Sequence, residues 1–334
     1  MQPFRWLFPE CEARPRAFLH LHSMRGPYLS SAALRRLTLV NVVLLAAIIV
    51  SGAVVRLTNS GLGCADWPTC SSTKVVDVSS HHAAIEQLNR IFSGAIGIPI
   101  ALALLGAYRL RPRRDDLVRL AWVLFGLFWA EAVLGGISVK VQLAWVSVTG
   151  HFLLAITLIA VALVMHHRAG AAPGARRSSV SGETLLLTRA VYALTIWVVV
   201  VGTLVTAAGP HGGDVKARRL GWPLGDVARV HGVSVDVLVA LTLALVYVLA
   251  RTRAPRRVLN VASLTVAVMA AQGVLGYVQY FNRIPALLVG FHVFGAVCVF
   301  TCVQQLVLEL YVADDRAAVD VRDTAPTPDV AIVR

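Results

Sequence analysis

The sequence predicts an all-α polytopic membrane protein, with eight transmembrane helices arranged as two tandem, pseudo-symmetric four-helix bundles. Of its 334 residues 57% are hydrophobic and only 15% are charged, against about 25% charged residues in an ordinary soluble domain. A soluble fold must cover its surface with polar groups, which leaves no place for so many apolar side chains. The composition therefore excludes a cytoplasmic enzyme, a disordered chain and a disulfide-dense secreted module.

Eight apolar runs are long enough to cross a hydrocarbon core of about 30 Å. They cover residues 37–58, 83–108, 117–139, 146–166, 188–208, 227–250, 258–280 and 285–312. Between the fourth and fifth runs, residues 169–182 are rich in Ala, Gly, Ser and Arg, which is typical of a flexible linker. The predicted parts are a tail (1–36), a first half (37–168), a linker (169–187), a second half (188–312) and a tail (313–334).

The distribution of basic residues sets the predicted orientation. Most of the 31 Lys and Arg residues lie in the two tails and in the gaps that follow even-numbered spans. The positive-inside rule places that side in the cytoplasm, so both termini are predicted to be cytoplasmic and the protein to lie in the cell membrane. The net charge of +13 has this origin. No basic stretch is interleaved with aromatic residues, so we expect no nucleic-acid partner.

The two halves resemble each other in sequence. Leu134 precedes His151 by 17 residues, and Leu275 precedes His292 by 17 residues within a similar pattern, 141 positions later. A second match relates residues 51–58 to 201–206 at an offset of 150. Matched spacing with a matched histidine indicates duplication of a four-helix unit. The alternative is that apolar helices resemble each other by composition.

Three histidines lie inside predicted spans, where ionisable residues are costly and mark functional sites. His231 and His292 lie in the second and fourth spans of the second half. Opposed imidazoles on facing helices are how a helical bundle holds a haem iron from both sides, so this pair is predicted to bind a haem. His151 is the counterpart of His292 and is predicted to hold an iron in the first half. For each of them the alternative is a histidine that only packs.

In the first half the counterpart of His231 is Asn89. An amide is a poor iron ligand beside an imidazole. We therefore expect a five-coordinate or weakly six-coordinate iron there, with Asn89 and Glu86 hydrogen-bonding on its open side. Glu86 lies one turn before Asn89 and is the candidate catalytic carboxylate; the alternative is an ion pair with Arg90. Arg56 and Arg90 lie near the outer surface and are candidates to bind porphyrin propionates, unless they only snorkel.

Four of the five cysteines fall into two pairs, and the fifth, Cys11, lies in the predicted N-terminal tail. Cys64 and Cys70 lie in the outer loop after the first span. That loop faces an oxidising compartment, which favours a disulfide, and the spacing is too wide for a thioredoxin-type pair. Cys298 and Cys302 lie within the last span and are predicted to be small packing residues.

Four segments together resemble the haem A synthase family. They are GAVVRLTNSGLGCADWP at residues 52–68, EQLNR at 86–90, VLGGISV at 133–139 with His151 following, and VTAAGPHGGD at 205–214. The resemblance covers roughly residues 37–312, and its first segment is highly specific. It implies eight membrane helices in two pseudo-twofold halves, with a loop disulfide at the positions of Cys64 and Cys70.

The resemblance also implies an activity, which is oxidation of the C8 methyl group of haem O to the formyl group of haem A for terminal oxidase assembly. His231 and His292 match the ligands of a haem b cofactor in that family, while Glu86 and His151 match residues that serve the substrate haem. Asn89 stands where the family usually has histidine. A haem O synthase would supply the substrate, the terminal oxidase or its assembly factors would receive the product, and the protein could form a homo-oligomer.

Two other functions remain open at this point. A membrane haem transporter or chaperone needs a porphyrin site but no redox chemistry. A quinol-linked two-haem electron carrier should have paired histidines in both halves. Asn89 argues against the carrier, and Glu86 favours the enzyme over the transporter.

Overall fold

The computed structural model describes residues 28–174 and 176–313, and these form eight long helices. Each of the eight is long and apolar enough to span a membrane, which confirms the predicted fold class and makes this a multi-pass membrane protein. The helices are α1 (Ser31–Leu57), α2 (His81–Arg109), α3 (Asp115–Lys140), α4 (Trp145–Ala169), α5 (Gly182–Ala208), α6 (Leu224–Arg251), α7 (Arg256–Phe281) and α8 (Ala286–Glu309).

The helices extend beyond most of the predicted spans because hydropathy detects only the apolar part of a helix. Three helices begin at serine N-caps, Ser30, Ser80 and Ser181, whose hydroxyl groups accept backbone N–H bonds from the first turn. The predicted last span was too long: α8 ends at Glu309, and Tyr311–Ala313 form a short strand, β2.

Each half is a ring of four helices. In the first half α1 contacts α2 and α4, and α3 contacts the same two helices. In the second half α5 and α7 each contact both α6 and α8. Helices α2 and α4 therefore face each other across the first ring, as α6 and α8 do across the second. The rings meet where α8 packs against α1 and α4, and where α4 contacts α5.

The connection between the halves contains a short strand and side-chain contacts. A strand β1 (Arg176–Ser178) pairs antiparallel with β2, with Ser178 opposite Tyr311. The Arg114 guanidinium donates to the carbonyl oxygens of Ala171 and Arg168, at 3.0 and 3.2 Å. The linker is thus fastened at both ends, which its small-residue composition does not reveal. Most of both predicted tails, residues 1–27 and 314–334, lies outside the described residues.

Candidate functional site

One large cavity runs through the outer part of both helix rings. Its volume is about 1360 Å³, above the range of about 300–1000 Å³ that is usual for a single small-molecule site. The cavity brings together every predicted site residue except the two loop cysteines, and it is lined by Arg56, Glu86, Asn89, Arg90, His151, His231 and His292. Most of the remaining wall is aliphatic and aromatic.

In the second half, His231 and His292 face each other from α6 and α8. Their ring centroids are 6.4 Å apart and their planes are inclined at 71°. A metal–imidazole bond of about 2 Å on each side, added to the two nitrogen-to-centroid distances, also gives about 6 Å. The spacing therefore suits two imidazoles on opposite sides of one metal ion. Both Nδ1 atoms are buried and make no hydrogen bond to any described residue.

Glycines on the neighbouring helices make room for these rings. A Cβ added at Gly202 on α5 would lie 3.2 Å from Cε1 of His231, and one at Gly276 on α7 would lie 3.1 Å from Cε1 of His292. Both distances are tighter than ordinary van der Waals contact. A side chain at either glycine would therefore displace an imidazole.

The first half of the chain repeats one of these two glycine–histidine contacts. A Cβ added at Gly135 on α3 would lie 3.0 Å from Cε1 of His151, which reproduces the relation of Gly276 to His292. Beside Asn89 the arrangement is different. Ser51 donates a hydrogen bond of 2.8 Å to Asn89 Oδ1, and a Cβ at Gly52, the counterpart of Gly202, would meet no described atom within 4 Å. The space that an imidazole fills in the second half is open here.

Sequence reasoning missed a carboxylate in this half. Glu131 lies on α3, its side chain is 16% exposed, and its Oε1 atom lies 3.1 Å from Nδ1 of His151. The atoms are within hydrogen-bonding distance, although the ring N–H is not aligned with the oxygen. The signal was present, because Glu131 is an ionisable residue inside a predicted span and stands one position before the repeat pattern. Asp236, which is exposed on α6 and lines the cavity, was missed in the same way.

Glu86 is buried and both of its oxygens are engaged. Oε1 accepts from Arg90 at 2.6 and 3.1 Å, and Oε2 accepts from the Cys64 backbone N–H at 2.7 Å. The remaining donor group of Arg90 bonds the carbonyl oxygens of Asp66 and Thr69. The ion pair weighed as an alternative in the sequence is therefore present, and it fastens the first outer loop to α2. The catalytic role of Glu86 stays a prediction.

The first outer loop forms a lid over the first half. The structure joins Cys64 and Cys70 by a disulfide within it. The Trp67 ring packs on Gly136 of α3, where a Cβ would overlap it. Lys140 forms an ion pair with Asp66 and, with the Trp67 backbone N–H, lowers the pKa of that carboxyl group below its ordinary value. Cys298 and Cys302 are partly buried on α8 and are not bonded to each other.

Arg56 differs from Arg90 because its guanidinium has no hydrogen-bond or ion-pair partner among the described residues. It lines the cavity and makes no hydrogen bond or ion pair with the described residues, whereas Arg90 is held by Glu86 and the loop. Its Cγ packs against Gly213, where φ of +97° favours glycine. Gly213 lies in the second outer loop, which is formed by residues 209–223 between α5 and α6. Arg219 of that loop lines the same cavity and donates to the Thr206 carbonyl at 3.0 Å, and burial lowers its pKa. Sequence reasoning named Arg56 but missed Arg219.

The second outer loop is also joined to the first half, both to the first outer loop and to Trp145 at the start of α4. The Gly61 N–H of the first loop donates to the Gly213 carbonyl of the second at 2.9 Å, and the Trp145 N–H donates to the Arg218 carbonyl at 3.2 Å. These bonds close the outer end of the molecule across both rings. The cavity is therefore a shared feature of the two halves.

Comparisons with known proteins agree with this architecture. The model of the COX15-CtaA family, described as cytochrome oxidase assembly protein, matches residues 35–84 and 73–210, which together make up about half of the chain. A haem A synthase of Symbiobacterium thermophilum is 28% identical over 286 residues, covering 77% of this chain and 89% of that protein. A haem A synthase of Geobacillus kaustophilus is 32% identical over 97 residues, covering 29% of this chain and 30% of that protein.

The family match includes the first outer loop, Glu86, Asn89 and His151, and the longer alignment reaches over most of the chain. The motifs, the eight helices and the family model all lead to one assignment. This chain therefore belongs to the haem A synthase family of cytochrome oxidase assembly proteins.

Proposed function

We propose that this protein is a haem A synthase, a membrane oxidoreductase that oxidises the C8 methyl group of haem O to the formyl group of haem A. The observation that carries the proposal is the single cavity in which one half presents a facing pair of imidazoles and the other half presents one. The names of both relatives support the same reaction. Successive oxygenations of the methyl carbon, followed by loss of water, would give the aldehyde.

In this proposal His231 and His292 hold a resident haem b. The 6.4 Å separation of their rings and their buried Nδ1 atoms fit that group, because each ring can turn its Nε2 atom towards a central iron. The bound haem would supply electron transfer. The chain's own contribution is to fix both rings with Gly202 and Gly276 and to surround them with an apolar wall.

The first half receives the substrate haem O. His151 would bind its iron, and the open space beside Asn89 and Gly52 leaves the other side without an imidazole. Arg56, whose guanidinium is uncommitted among the described residues, is positioned to bind a propionate at the outer end, where charge-assisted hydrogen bonds are strong. The lid held by Glu86 and Arg90 would exclude water from this half.

Pigment analysis tests the proposal directly. Cells that make haem O but no haem A would express this chain, and their extracted haems would be separated by chromatography. We expect a haem A peak that is absent from cells expressing the His151→Ala variant. If the wild-type chain binds haem O and returns it unchanged, the protein is a haem carrier and the proposed reaction is wrong.

We also propose the setting in which the reaction occurs. The protein would lie in the cell membrane with both termini in the cytoplasm, because basic residues predominate on that side. A haem O synthase would deliver the apolar substrate, and a terminal oxidase or its assembly factors would receive haem A. Co-purification of these proteins with the tagged chain is the corresponding measurement, and its elution volume would reveal a homo-oligomer.

A further inference from the structure

The two halves hold their fourth-helix histidines by equivalent helices. Residues Glu131–Ala–Val–Leu–Gly135 on α3 correspond to Gln272–Gly–Val–Leu–Gly276 on α7, again 141 positions later. In both helices the glycine packs against the imidazole, of His151 in the first half and of His292 in the second. Both helices also carry a polar side chain one turn earlier, on the same face. The repeat therefore places a carboxylate and an amide at equivalent positions.

These two side chains make different contacts. Glu131 Oε1 lies 3.1 Å from the ring nitrogen Nδ1 of His151. Gln272 instead donates its Nε2–H to the backbone carbonyl of His292 at 2.7 Å, and the Nδ1 atom of that ring has no hydrogen-bond partner in residues 28–174 and 176–313. Only the first-half imidazole is therefore next to a carboxylate.

The surroundings of Glu131 leave His151 as its partner. The Glu131 side chain is 16% exposed, and its second oxygen, Oε2, is buried without a hydrogen bond to any residue that the structure describes. Within that part of the chain, the residue that forms an ion pair with this carboxylate is His151. Rotation of the ring about χ2, a broad torsion for histidine, is enough to align its N–H with Oε1.

A carboxylate at one ring nitrogen changes what the other nitrogen does. It keeps the proton on Nδ1, so Nε2 carries the lone pair, and it increases the basicity of the ring. Because Glu131 lies beside Nδ1, Nε2 is the ring nitrogen that is left to bind a metal. A hydrogen bond to a histidine that binds a haem iron changes the electron density at that iron.

We propose that Glu131 is the positioning residue of His151, fixing its tautomer and making it a stronger electron donor to substrate haem iron than either second-half histidine is to its own iron. The inference rests on the proposed function in one respect, namely that His151 binds haem. It assigns the difference in donor strength between His151 and His292 to one substitution in the repeat, glutamate at position 131 in the half that would oxidise and glutamine at position 272 in the half that would transfer electrons.

The test uses the full-length purified protein, the Glu131→Gln variant and, as a matched control, Glu183→Gln, which makes the same change at an exposed glutamate in the first turn of α5, outside the cavity. Each protein is titrated with protohaem, and the iron–histidine stretching band of the reduced, loaded protein is recorded by resonance Raman spectroscopy. For Glu131→Gln we expect first-half haem affinity to fall about 10-fold to 100-fold and the stretching band to move to lower frequency. The control should match wild type, and an intact second-half haem spectrum verifies folding.

The outcomes separate the two ideas. If Glu131→Gln binds haem as tightly as wild type with an unshifted band, Glu131 is not a positioning residue, while the proposed function stands. If Glu183→Gln shifts the band equally, a general loss of negative charge explains the effect and the inference is wrong. If the wild-type protein takes up no haem in its first half, both the proposed function and the inference fail.

Discussion

The pair His231 and His292 carries the residue-scale prediction about the second half. If both imidazoles bind one iron, changing either residue to Ala should abolish the low-spin b-type absorption spectrum of the purified protein, since one imidazole cannot supply both axial ligands. The His151→Ala variant is the control and should keep this spectrum. A low-spin spectrum that persists in both single variants would contradict the assignment.

Asn89 carries the corresponding prediction about the first half. The open space beside Gly52 can accept an imidazole, so Asn89→His should convert the first-half haem from high-spin to low-spin when the protein is loaded with substrate haem. Electron paramagnetic resonance measures this change. Asn89→Gln keeps the amide and should stay high-spin. Purely low-spin iron in the loaded wild-type protein would show that the first-half site is not open.

Glu86 and Arg90 can be separated by comparing two variants. Glu86→Ala should leave the second-half haem intact and stop the oxidation of haem O. Arg90→Met breaks the same buried ion pair, a change that costs about 3–5 kcal/mol in comparable pairs, but keeps the carboxylate. If Glu86 is catalytic, haem A production should fall much further in Glu86→Ala than in Arg90→Met. Equal losses would mean that the pair acts only by holding the lid, and full activity of Glu86→Ala would exclude any catalytic role.

At the scale of elements, the first outer loop is the part whose structure depends on a covalent link. We expect Cys64 and Cys70 to resist thiol labelling in the non-reduced protein and to react after reduction. Cys298 and Cys302, partly buried on α8, provide an internal comparison in the denatured protein, where they should label without reductant. Variants with Cys64→Ser or Cys70→Ser should insert normally but have lower activity, because the lid loses a constraint. Full labelling of both Cys64 and Cys70 without reductant would disprove the disulfide.

The same scale explains what the sequence could and could not predict. The eight helices were predictable because each contains an apolar run longer than a bilayer core, and the three histidines because they interrupt those runs. The contact of Glu131 with His151 was not, since it depends on how α3 is rotated against α4. The pairing of β1 with β2 joins residues far apart in the chain, so no local pattern in the linker announces it. Arg56 and Arg90 look alike in sequence. Only the positions of their neighbours in the structure show that the Arg90 guanidinium is hydrogen-bonded and paired, whereas that of Arg56 has no such partner among the described residues.

At the scale of the whole molecule, an even number of spans per half gives both halves the same orientation. Reporter fusions test the predicted orientation. Alkaline phosphatase joined after residue 75 should be active, because that loop is predicted to lie outside, and a fusion after residue 173 should be inactive. A fluorescent protein that matures only in the cytoplasm should give the opposite pattern at the same two positions. The reverse result would invert the predicted orientation while leaving the fold unchanged.

The hydrogen bonds from the first half to the second outer loop also bear on the order in which the molecule is made. Gly61 and Trp145 both donate to carbonyl groups of the second outer loop, at Gly213 and Arg218. A ribosome delivers the chain from its N-terminus, so the four helices of the first half can enter the bilayer before either acceptor exists. Until α5 has crossed, those two N–H groups have only water to bond. Closure of the outer end is thus a late event of biogenesis. A first half synthesised alone would lack the two hydrogen bonds to the second outer loop and would remain open at that end.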